Sequence, residues 1–197
     1  MKALFAAAKE VFDWLDAHGV RGCLIGALVV QRWGEPRLTH DVDLTVLAEI
    51  GNEERIIDIC LEGFRARIED ARAFALRQRV ILLFAGNGVE VDVALGGTSF
   101  ETECFDRATP YEFEPGCVLP TCSAEDLIIH KVVAARPQDI PDIRGIVNRQ
   151  FRNLDLARIR HWLKVFAEVK EDADLARPFE DALKSAEAIA AKRKKPR

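Results

Sequence analysis

Two aspartates one residue apart, Asp41-Val42-Asp43, are the side chains in this sequence best spaced to do chemistry together. On a β-strand alternate side chains share a face, so these carboxylates would stand about 6–7 Å apart at the backbone. That spacing suits two divalent cations about 3.5–4 Å apart, the arrangement of two-metal phosphoryl transfer. All-oxygen ligation favours magnesium or manganese over softer metals. Val42, Leu44, Val46 and Leu47 give the same segment a buried side. A further carboxylate, Asp92, sits in the apolar run Val91-Asp92-Val93, and Glu90 is its rival as a third ligand. Taken alone, an Asp-x-Asp pair also fits a solvated strand face, and Asp92 fits an exposed position on a half-buried strand.

The surrounding pattern supplies elements to position these acids. Cys23-Leu24-Ile25 reads as a short buried strand, and Gly26 turns into a helix through about Trp33, closed by Gly34-Glu35-Pro36. A glycine at a helix N-terminus lets the backbone come close to a phosphate. Asp41 to Leu47 alternates as a strand does. Val80–Phe84 and Val89–Leu95 are apolar runs joined by Ala85-Gly86-Asn87-Gly88, a hairpin signal. Tyr111–Phe113 and Cys117–Leu119 flank Glu114-Pro115-Gly116 as a second hairpin.

Residues 3–17 place Leu4, Phe5, Ala8, Val11, Phe12 and Leu15 on one helical face, with His18-Gly19 as the stop. Residues 53–62 also read as helix. Ser123-Ala124-Glu125-Asp126 has capping-box spacing, and helical periodicity continues from there to Ala191, with breaks near Pro137, Asn153 and Pro178. Trp14, Trp33 and Trp162 sit at helical spacing and read as core. The fold class expected is α+β: a small mixed β-sheet core over residues 1–122, then a helical annex over 123–197.

With these residues in place, the chain resembles the polymerase-β-like nucleotidyltransferase superfamily. That superfamily has a glycine turn, a helix, an Asp-x-Asp strand and a third acid on a later strand. Here the matching residues are Gly26-Ala27, the helix to Trp33, Asp41-Val42-Asp43 and Asp92. More narrowly, Arg37-Leu38-Thr39-His40-Asp41-Val42-Asp43 looks like the Arg-x-Thr-x-Asp-x-Asp signature of the AbiEii-like branch, which includes toxins of type IV toxin–antitoxin systems. Asp126-Leu127-Ile128-Ile129-His130-Lys131, with Arg136, Asp139 and Asp142, looks like its second motif. The resemblance runs from about residue 22 to 147.

What the resemblance implies is a metal-dependent transfer of a nucleoside monophosphate from a triphosphate to a hydroxyl. Asp41, Asp43 and Asp92 would hold Mg2+ or Mn2+. Gly26, Ala27, Arg37, Thr39 and Lys131 would contact the nucleotide. The acceptor would be an RNA end, such as a tRNA, or a protein hydroxyl, and a cognate antitoxin would be a partner. Ala27 stands where the superfamily often has serine, which removes one hydroxyl from the phosphate site.

Other readings stay open residue by residue. Arg37 and Thr39 either touch phosphate or orient the Asp41 loop. Lys131 either reaches the triphosphate or lays its stem along the core. Asp139 fits a helix N-cap, and Arg136 could pair with Asp139 or Asp142. His40 reads as a loop histidine.

Composition narrows the field. Charged side chains are 30% and hydrophobic ones 49%, an ordinary globular mix, and the net charge of -4 gives no whole-molecule attraction for nucleic acid. The basic run Lys192-Arg193-Lys194-Lys195 reads as a solvated helix end or a disordered tail. No signal peptide or membrane span is visible, and the five cysteines form no C-x-x-C pair, so reduced thiols in a cytoplasmic protein are expected.

Three further functions compete: a small-molecule nucleotidyltransferase, a non-catalytic nucleotide- or partner-binding module of the same fold, and a haloacid-dehalogenase-type phosphatase with Asp41 as nucleophile. The last needs a long apolar strand directly before Asp41, and Glu35-Pro36-Arg37-Leu38-Thr39-His40 is a loop.

Overall fold

A computed structural model describes residues 1–193 of the chain. The expectation for the basic tail falls partly on residues 194 and 195, which lie outside the described residues. Two compact units emerge. One contains Met1–Val29 and Leu38–Ser123; the other contains Val30–Arg37 and the described residues from Ala124 onward.

The first unit carries the sheet. Its strands are β1 (Gly22–Leu24), β2 (Asp41–Leu47), β3 (Arg65–Ala66), β4 (Val80–Phe84), β5 (Glu90–Gly96), β6 (Thr109–Glu114) and β7 (Cys117–Thr121). Among the described residues they form one sheet in the order β3-β4-β5-β2-β1-β7-β6. The pairs β2–β5 and β1–β7 are parallel and the others antiparallel, so the sheet is mixed and the fold is α+β as expected. Both expected hairpins form, as β4–β5 and β6–β7.

Alternation decides which way β2 and β5 face. Val42, Leu44, Val46, Val91, Val93 and Leu95 are buried, together with Ile81 and Leu83 of β4. Helices α1 (Lys2–Ala17) and α3 (Glu53–Gly63) pack against this sheet. From α1, Leu4, Phe5, Ala7, Ala8, Val11 and Leu15 are buried, while Phe12 is only half-buried. Each fully buried Val or Leu side chain contributes about 1.5–3 kcal/mol through apolar area removed from water.

Elements absent from the sequence reading are β3, α4 (Ala71–Gln78) and α5 (Ser99–Arg107). The α5 start was legible: Thr98 and Glu101 form a reciprocal capping box, with the Thr98 amide donating to Glu101 Oε2 at 2.8 Å. The α4 end was not, because its cap is Arg79 at φ 54 where glycine is the usual residue. Tertiary bonds hold Arg79 in that left-handed conformation. Its Nε donates to the Leu95 carbonyl at 3.0 Å and its Nη1 to Glu53 Oε1 at 2.6 Å. The turn from α4 into β4, and so the pairing of β4 with β5, is anchored there.

The second unit is helical: part of α2 (Gly26–Trp33), then α6 (Ala124–Ala134), α7 (Asp139–Gln150), α8 (Leu156–Lys170) and α9 (Arg177–Arg193). The break before α9 precedes Pro178, which occupies the first turn, where its missing N–H costs nothing. Leu127, Ile128, Ile143, Ile146, Ile159, Leu163 and Phe179 are among its buried side chains. No helix among the described residues is long and apolar enough to cross a membrane.

The sheet core makes a direct prediction. Leu44→Ala should cost about 2–5 kcal/mol in urea unfolding, as expected for a buried cavity, whereas Val169→Ala, at a position 76% exposed, should change stability by less than about 0.5 kcal/mol. Similar costs at both positions would mean that this face of β2 is not the core.

Candidate active site

The parallel register of β2 and β5 sets Asp41 beside Glu90 and Asp43 beside Asp92. Residues opposite one another in a sheet point to the same face, and adjacent strands are about 4.8 Å apart. Two rows of two carboxylates therefore share the face opposite the buried valines and leucines. Such like charges repel and need compensation.

Each acid is handled differently. The Thr39 hydroxyl, itself buried, donates to Asp41 Oδ1 at 2.5 Å. Arg67 Nη1 donates to Asp92 Oδ1 at 2.5 Å, and its Nη2 lies 3.2 Å from Glu90 Oε2. Burial pushes the Asp92 carboxyl above its ordinary pKa. Arg67 offsets part of that rise, while the charges of Asp41 and Glu90 add to it. Asp43 lies against Gly26. Among the described residues no three His, Cys, Asp or Glu side chains converge tightly enough to hold a metal ion as they are now oriented. The register puts the three acids on neighbouring strands, but Thr39 and Arg67 engage the carboxylates of two of them.

Gly26 is required by this packing. It starts α2 at φ +70, a conformation that L side chains rarely adopt. A Cβ built there would lie 2.6 Å from both Cβ and Cγ of Asp43 and would overlap its Oδ2. The preceding Ile25 amide donates to the Asp43 carbonyl at 3.0 Å, which brings the turn and the strand together. The close approach expected between Gly26 and a phosphate is thus, in this structure, a close approach to Asp43. Ala27, the next residue, is buried.

Arg37 and Lys131 belong to the helical unit and meet there. Lys131 Nζ is 3.0 Å from Asp139 Oδ1 and 2.6 Å from Asp142 Oδ2, and the lysine is only 4% exposed. Arg37 Nε donates to both Asp142 oxygens at 2.9 and 3.0 Å, with Nη2 also on Oδ2 at 3.0 Å. Asp139 additionally accepts from the Arg136 amide at 3.2 Å. Asp139 is the first residue of α7 and Gln138 its N-cap, so the carboxylate serves Lys131 rather than capping. Asp126 is fully buried and accepts from Arg158 at 2.8 and 3.0 Å. The second motif of the sequence is therefore a pair of buried ionic links among helices.

Arg67 was not foreseen from sequence, and Glu90 only as an alternative third acid. Arg67 carried no signal because its place follows from the pairing of the two-residue strand β3 with β4. Glu90 was named only as a rival to Asp92, yet the register sets it beside Asp41.

Residues 26–195 match the sequence family described as nucleotidyl transferase AbiEii toxin, type IV TA system. The chain belongs to this family. The AbiEii assignment makes it a nucleotidyltransferase, and structural comparison agrees on the fold. The structure of ANT(2")-Ia in complex with adenylyl-2"-tobramycin matches with TM-score 0.52 at 17% identity, over 84% of this chain and 98% of that one. An antigenic nucleotidyltransferase-like protein from Paracoccidioides brasiliensis matches with TM-score 0.51 at 14% identity, over 92% of both chains. A search of curated proteins finds no matching sequence. Within the AbiEii framework, the acids of β2 and β5 occupy the sheet unit, and the second motif lies in the helical unit.

The buried network predicts a stability effect at Lys131. Lys131→Ala leaves Asp139 without its cation and strips one from Asp142, a change worth about 3–5 kcal/mol in buried pairs. Urea unfolding of the variant measures it directly. A loss below about 1 kcal/mol would mean that the links do not hold the helices.

Proposed function

We propose that the chain transfers a nucleoside monophosphate from a nucleoside triphosphate to a hydroxyl of RNA, such as a tRNA end, or of a protein. The observation that carries this reading is the register that sets Asp43 beside Asp92 with Asp41 on the same face. Those three acids fit Mg2+ or Mn2+ by donor chemistry, being hard oxygen ligands on adjacent strands. Bound there, the ions would supply charge stabilisation at the α-phosphate and lower the pKa of the attacking hydroxyl.

The chain's own residues define the rest. Asp41 and Asp43 would hold the metal from one strand, with Thr39 fixing the orientation of Asp41 and Gly26 leaving room for Asp43. Asp92 approaches from the neighbouring strand and accepts the proton of the acceptor hydroxyl. The acceptor oxygen forms a bond to the α-phosphorus while the bond to the β-phosphate oxygen breaks, and pyrophosphate leaves. Gly26 and Ala27, at the start of α2, offer backbone amides to the triphosphate. Contact of Arg37 or Lys131 with the nucleotide would require each to share its charge with Asp142. The family's description as a type IV toxin supports a cognate antitoxin as partner and the cytoplasm as the place of action.

The decisive assay offers each labelled nucleoside triphosphate with total RNA, protein or small hydroxyl compounds, and compares wild type with Asp41→Ala. Wild type should label RNA or protein. Asp41→Ala should lose at least about 100-fold in transfer while keeping its circular dichroism spectrum, because a lost electrostatic contact acts mainly in the transition state. Full transfer by Asp41→Ala would remove the site from the β2 face. Nucleotide binding without transfer to any acceptor would favour the binding module, and labelling confined to small molecules would move the acceptor class.

A further inference from the structure

Arg67 lies two strands away from the acid it binds. Its amide donates to the Leu82 carbonyl at 2.9 Å, and Leu82 is the register partner of Asp92, so the side chain reaches across β4 to arrive at β5. There the guanidinium bridges Asp92 and Glu90, one acid from each row of the patch. It is only 22% exposed, so its charge is poorly screened by water. The bond to Asp92 is a direct charge-assisted contact.

Resting on the metal-site reading above, we propose that Arg67 is a positioning residue that acts as an internal counter-ion. It occupies the third carboxylate in the metal-free protein, and a divalent cation must displace it. Two facts argue for competition. The guanidinium occupies Asp92 Oδ1, an oxygen that a shared cation would need, and no converged three-acid group is present among the described residues. A divalent cation beside the same carboxylate would also repel the guanidinium, strongly so in a partly buried site. Arg67 thus neutralises acids that would otherwise repel one another, and it sets how much metal is needed to open the site.

The test is Mn2+ titration, read from the electron paramagnetic resonance signal of the free ion, on wild type, Arg67→Gln, Arg67→Lys and Asp43→Asn. Thermal melts with and without Mn2+ accompany it. Arg67→Gln should bind Mn2+ about tenfold more tightly or better, since a competing charge-assisted hydrogen bond is worth at least a decade in affinity. Its melting temperature should fall without metal, and Mn2+ should raise it by more than in wild type. A purely structural role would lower the melting temperature without tightening the metal.

Arg67→Lys keeps the charge and loses the two-pronged geometry, so it should bind Mn2+ more tightly than wild type and answers the question if Arg67→Gln does not fold. Unchanged or weaker Mn2+ binding in the Arg67 variants, with binding in wild type abolished by Asp43→Asn, overturns the counter-ion role alone. Wild-type Mn2+ binding that is absent, or unaffected by Asp43→Asn, overturns the metal-site reading and this inference with it.

Discussion

Repulsion among Asp41, Asp43, Glu90 and Asp92 is the constraint around which the sheet unit is organised. Two carboxylates held at the spacing of adjacent strands repel by about 3 kcal/mol at an effective dielectric near 20. The sequence could avoid that cost by placing the acids apart, and it does not. Instead the apolar residues of β2 and β5 bury the opposite face, and the alternation of the pleat leaves the acids no other direction. The core and the site are two sides of the same two strands, so the hydrophobic energy that pairs β2 with β5 also holds the acids together.

Compensation comes from short, specific contacts. A buried threonine hydroxyl orients Asp41, a glycine at positive φ makes room for Asp43, and an arginine from beyond β4 bridges Asp92 and Glu90. In the helical unit the same problem is solved without a ligand. Buried Lys131 and the partly exposed Arg37 balance Asp139 and Asp142, both of which are buried. One family signature thus contains two kinds of charge cluster: one of paired acids and bases that ties helices together, and one of acids gathered on a sheet face with Arg67 bridging two of them.

Much of this was legible in the residues. The Asp-x-Asp spacing, the apolar partners of each acid and the Gly-Asn-Gly hairpin report local periodicity, and the structure repeats them as β2, β4 and β5. The role of Gly26 as a tight turn was legible, but its contact was not, because the neighbour that forbids a Cβ lies seventeen positions on in the sequence, at Asp43. Lys131 looked like a snorkelling or phosphate-binding lysine, since both of its partners, Asp139 and Asp142, come from the next helix. Arg67 and Arg79 were invisible for a related reason. One directly follows a two-residue strand, and the other caps a helix through long-range bonds in place of the usual glycine.

The central claim is that the acids of β2 and β5 hold a divalent metal against a nucleoside triphosphate. Crystals grown with Mn2+ and a non-hydrolysable triphosphate, measured at the manganese absorption edge, test it most directly. The account predicts an anomalous peak at coordination distance from carboxylate oxygens of both Asp41 and Asp43, with the triphosphate on the same ion. A manganese peak elsewhere in the molecule, or nucleotide bound away from these strands, would contradict it.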